Sequence, residues 1–148
     1  MKHSAGIIPF RINEDETVEF FVRHPGGNHD YGKEVWYFLK GGVEDGESYS
    51  EAAIREFKEE TGLSMEDCNS GLLIPLGTVQ QSGHKTATAF GLHYPNIDPS
   101  KCKSNLCEDG ITPEIDRYCW MSYERLRAVT HPTHLIFYKQ LLEMCANC

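Results

Sequence analysis

Three glutamates, Glu56, Glu59 and Glu60, stand at i, i+3 and i+4 in the run AAIREFKEETGL, with Arg55 directly before the first. On a helix that spacing sets their side chains on adjoining stripes. Like charges so placed cost an exposed helix roughly 0.2–0.5 kcal/mol per pair. Near a protein surface, two unit charges about 4 Å apart repel by roughly 4 kcal/mol at an effective dielectric near 20. A hard divalent cation reverses the sign, because carboxylate oxygens are the ligands magnesium prefers. The competing explanation is a solvated face of mixed charge, which Arg55 and Lys58 would suit. The lead-in decides between them. Gly41, Gly42 and Gly46 bracket Glu44, Asp45 and Glu47, and let the backbone fold back tightly against the helix start. Such a loop can aim a main-chain carbonyl, that of Lys40 for example, at a cation; a solvated helix has no use for it.

The helix that must hold these carboxylates carries its own end signals. Ser48 followed three places later by Glu51 forms a capping box, so the helix starts at Tyr49. Gly62 supplies a left-handed stop, ending it near Thr61. Tyr49, Ala53, Ile54 and Phe57 recur at helical spacing and are expected to face a sheet. Runs of β-branched and aromatic residues predict strands over 4–12, 18–24, 35–39, 72–80, 86–93 and 117–121. NEDET and QSGHK read as the turns between the first and the fourth pairs of these. Helices are expected over 122–128 and from Pro132 to about residue 145, the latter opening with proline in its first turn. HPGGNHDYGKE is a glycine-rich loop, and 94–113 a polar loop too long for idle packing, where specificity is expected to lie. The order predicts one mixed α/β (α+β) domain over 1–148, a single sheet sandwiched between helices.

The chain has 148 residues, enough for a real apolar core without covalent staples. Its formal net charge of −8 argues against a surface that tracks the phosphates of DNA or RNA. A small phosphorylated ligand is compatible, since bound divalent cations reverse the local sign. Met1-Lys2 leads into no apolar signal region, and the longest apolar runs, such as AGIIPF, are too short to span a bilayer. A cytoplasmic location is therefore expected, with the six cysteines as reduced thiols. His131, His134, Cys145 and Cys148 have a spacing that could hold zinc, although a CxxC at a chain end lacks a scaffold.

Gly41, then five residues, Glu47, then seven residues, then Arg55-Glu56-Phe57-Lys58-Glu59-Glu60-Thr61-Gly62-Leu63 resembles a complete Nudix box, with every fixed position filled over 23 residues. SAGIIPFR, FVRHPGG and PEIDRYCWMSYERL are similar to the flanks of small Nudix pyrophosphohydrolases. The resemblance implies a Mg2+-dependent hydrolase, with Mn2+ as a substitute metal. Such an enzyme cleaves a phosphoanhydride of a nucleoside diphosphate linked to a group X. It assigns Glu59 and Glu60 as principal metal ligands, Glu56 as a further ligand or the base that activates water, and the Lys40 carbonyl as part of the inner shell. Arg55 would orient the glutamates and Glu47 would hold the loop through Arg55. Members often use a carboxylate outside the box, for which Glu114 is the first candidate and Glu108 the second. Lys85, Arg23, Gly41 and Gly42 are the candidates for substrate binding, Lys85 as a point charge for a phosphate unless it is a solvated turn lysine, with the same alternative open for Arg23. His24 is a weaker candidate, and Trp36, Tyr37 and Phe38 could offer a base-stacking face if they are not core.

Departures from the family's subtypes leave X open. Leu39 stands where many members have proline, and Val79, Gln80 and Gln81 occupy the stretch where many dinucleoside polyphosphate hydrolases carry a tyrosine. Pro75 is too early for the proline typical of ADP-ribose enzymes. Lys40-Gly41-Gly42 and Lys85 lean toward an NTP or a dinucleoside polyphosphate. Nucleotide sugars, ADP-ribose or a non-catalytic nucleotide sensor are the alternatives. Capped RNA ranks lowest on the acidity. A monomer or a homodimer fits equally, and activity should rise into the alkaline range.

Overall fold

The structure is a computed structural model that describes residues 1–25, 35–67 and 72–146. Most of the HPGGNHDYGKE loop, together with Cys68 and Cys148, lies outside the described residues. The chain runs β1 (Lys2–Ile12), β2 (Val18–Pro25), β3 (Leu39–Gly42), α1 (Tyr49–Thr61), β4 (Ile74–Ser82), β5 (Lys85–His93), β6 (Ile115–Ser122), α2 (Tyr123–Val129) and α3 (Leu135–Ala146). One mixed sheet has the order β4-β5-β1-β2-β6, with β3 joined to β1. Strand β1 pairs in parallel with β5 along nine positions.

On its other side β1 is shared. Ser4 to Ile7 pair with β3, whereas Phe10 to Ile12 pair with β2. The two partner strands diverge from β1 as a fork, linked across their gap by an isolated bridge between Arg23 and Tyr37. That fork brings a β2 side chain and the β3 backbone to one place.

Both faces of the sheet are covered at its centre, so β1 is buried without alternation from Ser4 to Phe10, whereas the edge strand β4 is largely exposed. Ile7, Phe21 and Leu39 turn toward α1 and pack with Ala53 and Phe57. Their neighbours Ile8, Phe20 and Phe38 turn the other way, against Leu126, Phe137, Tyr138 and Leu141 of α2 and α3. The expected sandwich is thus the observed one.

Three expectations need correction. The strand expected over 35–39 is shifted: pairing begins at Leu39 and continues through Lys40, Gly41 and Gly42. Trp36 and Tyr37 make only isolated bridges. The strand runs on through two glycines, of which Gly41 is crowded: a Cβ there would lie 2.1 Å from the Glu56 carboxyl carbon.

The face of α1 is also displaced. Tyr49 and Ile54 are each 39% exposed, while Ala52, Ala53, Phe57, Glu60 and Thr61 are buried. The stripe through positions 53, 57 and 60 places Glu60 among the apolar contacts rather than beside them. The helix ends, by contrast, fall where Ser48, Glu51 and Gly62 put them: Ser48 Oγ accepts from the Glu51 N–H at 3.1 Å and Gly62 has φ +77°. Finally, the last helix is preceded by a 3-10 turn, Pro132–His134, so α3 proper starts at Leu135.

His134 is fully buried in this turn. One ring nitrogen meets Gln81 Oε1 at 2.9 Å and the other has no hydrogen-bond partner. Burial, aided by the positive charges of Lys40 and Lys85, pushes its pKa down to about 3 from 6.5. A depressed histidine stabilises the fold above its unfolded pKa, and that stability is lost as pH falls, because the unfolded chain takes up the proton first. Between pH 7 and pH 5 the native state should therefore lose about 2 kcal/mol through this residue. A thermal melting series over that range should show the loss in the wild type and a flatter profile in His134→Gln.

Candidate active site

A cleft of about 910 Å³ opens at the fork, beneath the loop 94–113. Its acidic wall carries Glu56 and Glu60 from α1, with Glu114 and Glu108 from the loop before β6. The same cleft is lined by Arg23 from β2, Lys40 from β3, and Gln81 and Lys85 from the β4–β5 hairpin. Tyr37 also lines it, with the Arg23 guanidinium 5.5 Å and the Lys40 ammonium 5.7 Å from its ring centre. Carboxylates and cations thus share one cleft, with Arg23 Nε only 3.2 Å from Glu60 Oε1.

Arg55 ties the loop to the helix. Its Nε donates to Glu47 Oε2 at 2.7 Å and its Nη2 to Glu47 Oε1 at 2.9 Å, a bidentate pair. Nη2 also donates to the Gly42 carbonyl at 2.8 Å. Nη1 reaches Glu56 Oε1 at 2.9 Å and Glu59 Oε2 at 3.3 Å. Every N–H direction of this guanidinium is in use. Hydrogen bonds from Arg55 hold the Glu47 carboxyl down to about 2 and raise the guanidinium further above its usual range.

Gly41 lets the strand pass against Glu56. An alanine there would set its Cβ 2.3 Å from both carboxylate oxygens, so Glu56 would have to move. Gly41→Ala should lower kcat by about 10²-fold, the usual cost of displacing a reacting group by about 1 Å. Steady-state kinetics beside an unchanged circular dichroism spectrum would check this.

Burial raises the pKa of Glu56, with Arg55 opposing and Glu59 and Glu114 adding to it. Glu60 is only 7% exposed. Burial pushes it up to about 8, Arg23 opposing and the Glu56 charge adding to it. The Tyr118 hydroxyl donates to the Glu60 backbone carbonyl and fixes the end of the helix. Lys40, also 7% exposed, is pushed down to about 7 by burial and then by Lys85 and Arg23.

The sequence-predicted residues are not all brought together. Glu56, Glu60, Glu114, Glu108, Lys40, Gly41, Lys85 and Arg23 line the cleft. Glu59 does not; its side chain is 42% exposed and turned to Arg55. Glu47 and Gly42 act on the cleft only through Arg55. His24 instead pairs with Asp116 at 2.8 Å. Trp36 and Phe38 are buried in the core, which removes them as a stacking face and leaves Tyr37. Gln81 and Tyr118 were not singled out: a glutamine ending a strand and a tyrosine within one carry no local signal of a site.

Among the described residues no three histidine, cysteine, aspartate or glutamate side chains converge as a closed metal cage. His134 of the supposed zinc set points to Gln81, and Cys148 lies outside the described residues. The acidic wall nonetheless fits a hard cation. Glu60 Oε1 is buried with no hydrogen-bond partner, a costly state that a divalent ion would relieve.

The NUDIX domain family model matches residues 1–143. The chain belongs to that family. Among its relatives, the RNA pyrophosphohydrolase of Vibrio cholerae is 49% identical over 103 residues, covering 63% of this chain and 59% of its own length. That of Brucella anthropi is 27% identical over 128 residues, covering 80% of this chain and 74% of its own. The chain therefore spans about 59% of the length of the Vibrio relative. A Caenorhabditis elegans Ap4A hydrolase, solved as a binary complex, shares the fold with a TM-score of 0.66 at 21% identity, over 97% of this chain and 98% of that one. Among the described residues no helix is long and apolar enough to cross a membrane.

Proposed function

We propose that the protein is a magnesium-dependent hydrolase that cleaves a phosphoanhydride bond of a nucleoside polyphosphate. The observation that carries this reading is the mixed lining of one cleft: the carboxylates Glu56, Glu60 and Glu114 together with the cationic side chains Arg23, Lys40 and Lys85. An uncharged or singly charged substrate would leave one of these two sets of charges unmatched. A polyphosphate with a divalent cation matches both.

Glu60, with Glu114 and the Lys40 carbonyl, would hold the cation; Glu59 would join them by turning from Arg55. When bound, a divalent cation neutralises phosphate charge and lowers the pKa of water. The remaining work falls to the chain's own groups. Arg23 and Lys85 bind and orient the phosphates, and Lys40 adds charge at the buried end. Glu56, whose Oε1 is pinned by Arg55, presents Oε2 to take the proton of the attacking water. Its raised pKa makes it a better base near neutrality. In-line attack then needs mainly position and field, which the rigid loop–helix clamp supplies.

The substrate class is narrower than X but not single. An NTP and a dinucleoside polyphosphate suit three cations better than ADP-ribose or a nucleotide sugar, which bring only two phosphates. The relatives named RNA pyrophosphohydrolase restore to the test an RNA 5′ end, which the acidity alone ranked lowest. A cytoplasmic location belongs to the same reading.

The test is a panel with Mg2+ and then Mn2+: NTPs, oxidised dNTPs, diadenosine polyphosphates, ADP-ribose, UDP-sugars and a 5′-triphosphorylated RNA oligonucleotide. Released phosphate and pyrophosphate are scored, with Glu60→Gln as the control. Turnover of a polyphosphate substrate that Glu60→Gln abolishes is expected. Nucleotide binding without turnover across the panel would favour the sensor instead.

A further inference from the structure

The two arginines of the site are held in opposite ways. Arg55 spends all its donors on short, well-aimed bonds. Arg23, among the described residues, makes one long side-chain hydrogen bond, from Nη2 to the Lys40 carbonyl at 3.4 Å. Its Nε lies 3.2 Å from Glu60 Oε1, close enough for an ion pair. Yet both of those atoms are buried and neither finds a hydrogen-bond partner, so the N–H is not aimed at the oxygen. Its backbone is fixed, donating to and accepting from Tyr37 at 2.8 and 2.9 Å. A firmly rooted residue thus carries a poorly bonded head.

The position of that head is telling. It stands between the Glu60 carboxylate and the Lys40 carbonyl, the two buried oxygens that the proposed function gives to the cation. Two positive groups cannot share that place. A guanidinium leaving it has Tyr37 to slide along and Lys40 and Lys85 as neighbours, where phosphate would be met.

We propose that the Arg23 guanidinium and the divalent cation are alternative partners of the same two oxygens, Glu60 Oε1 and the Lys40 carbonyl, so that loading the cation hands Arg23 over to a substrate phosphate. Arg23 thereby keeps Glu60 paired before loading and makes cation binding and phosphate binding mutually reinforcing. This rests on the proposed metal-dependent function and goes beyond it, since it predicts that removing a residue of the site tightens metal binding.

The experiment uses the full chain without nucleotide, with bound Mn2+ measured by electron paramagnetic resonance in wild type, Arg23→Gln and Glu60→Gln. Arg23→Gln should bind Mn2+ about tenfold more tightly than wild type, a coupling of ordinary size. In saturating Mn2+ it should bind a non-hydrolysable nucleoside triphosphate about tenfold more weakly. Unchanged or weaker Mn2+ binding by folded Arg23→Gln overturns the proposal. The wild type gives a second reading that needs no variant. On addition of Mg2+, the Arg23 Nε–H resonance should shift in step with the α1 amides; if the amides shift and it does not, the proposal falls. Wild type that binds no Mn2+, or binding indifferent to Glu60→Gln, would instead overturn the metal-dependent function itself.

Discussion

Glu60→Gln should lose about 10³-fold in kcat, the scale of removing one main electrostatic contact from a closed site, while its melting temperature stays equal to or above that of the wild type. The substitution keeps shape and removes charge. Glu60 is almost completely buried, and burial raises its pKa from 4.5 to about 8. A raised carboxylate stabilises the fold fully below its unfolded pKa, and this contribution is lost as pH rises through the folded one. At pH 8 and above the wild type therefore carries the cost of a buried charge that the glutamine does not. Arg23 gives back part of that difference when its partner becomes neutral. The stability gap should favour the variant most at alkaline pH and close below about pH 4.5. A residue that lowers stability while sustaining turnover is what a working site exchanges for function. Melting curves at pH 5 and 9 beside kcat would check it. A large stability loss at every pH would instead mark Glu60 as part of the packing.

The sequence displays the ends of α1 and the carboxylate register plainly because both depend on neighbours within four residues. Ser48, Glu51 and Gly62 act locally, and their geometry follows from spacing alone. The cationic part of the cleft depends on the fork, in which β2 and β3 share one edge of β1, and no local signal in Arg23 or Lys40 announces that. Gln81 is harder still: it reaches the cleft through a hairpin and is bonded to His134, 53 residues away in sequence. Spacing gave Glu59 and Glu60 equal standing, yet one is 42% exposed and the other buried, since a shift of one residue turns a side chain by 100°. The face of α1 was misjudged for a related reason. Tyr49 and Ile54 are apolar but lie off the stripe that Ala53 and Phe57 define, and a hydrophobic residue at a surface edge is no anomaly.

The largest stability effect should come from a residue outside the cleft. Gly6→Ala should cost about 3 kcal/mol, as overpacking in a rigid core does, and lower the melting temperature by roughly 6–12 °C for a chain of this size. Gly6 lies in β1, paired with Lys40 on one side and Ala89 on the other. A Cβ built on it would meet the Leu39 carbonyl oxygen at 2.1 Å and the Lys40 Cα at 2.6 Å. Those are backbone atoms, which cannot swing aside as a side chain would. To admit the methyl group β3 must part from β1, and with β3 go the Lys40 carbonyl, the Lys40 ammonium and the close pass of Gly41 by Glu56. Activity should therefore fall even at temperatures where the variant remains folded. Gly42→Ala is the matched control. It sits two residues further on in the same strand than Lys40, its added Cβ meets nothing within 4 Å, and Arg55 holds its carbonyl rather than its Cα. That change should alter stability by no more than about 0.5 kcal/mol. Chemical denaturation of the two variants, with kcat measured at 15 °C, separates the outcomes: equal tolerance of both alanines would show that β3 is not held at the distance from β1 on which the whole arrangement of the cleft depends.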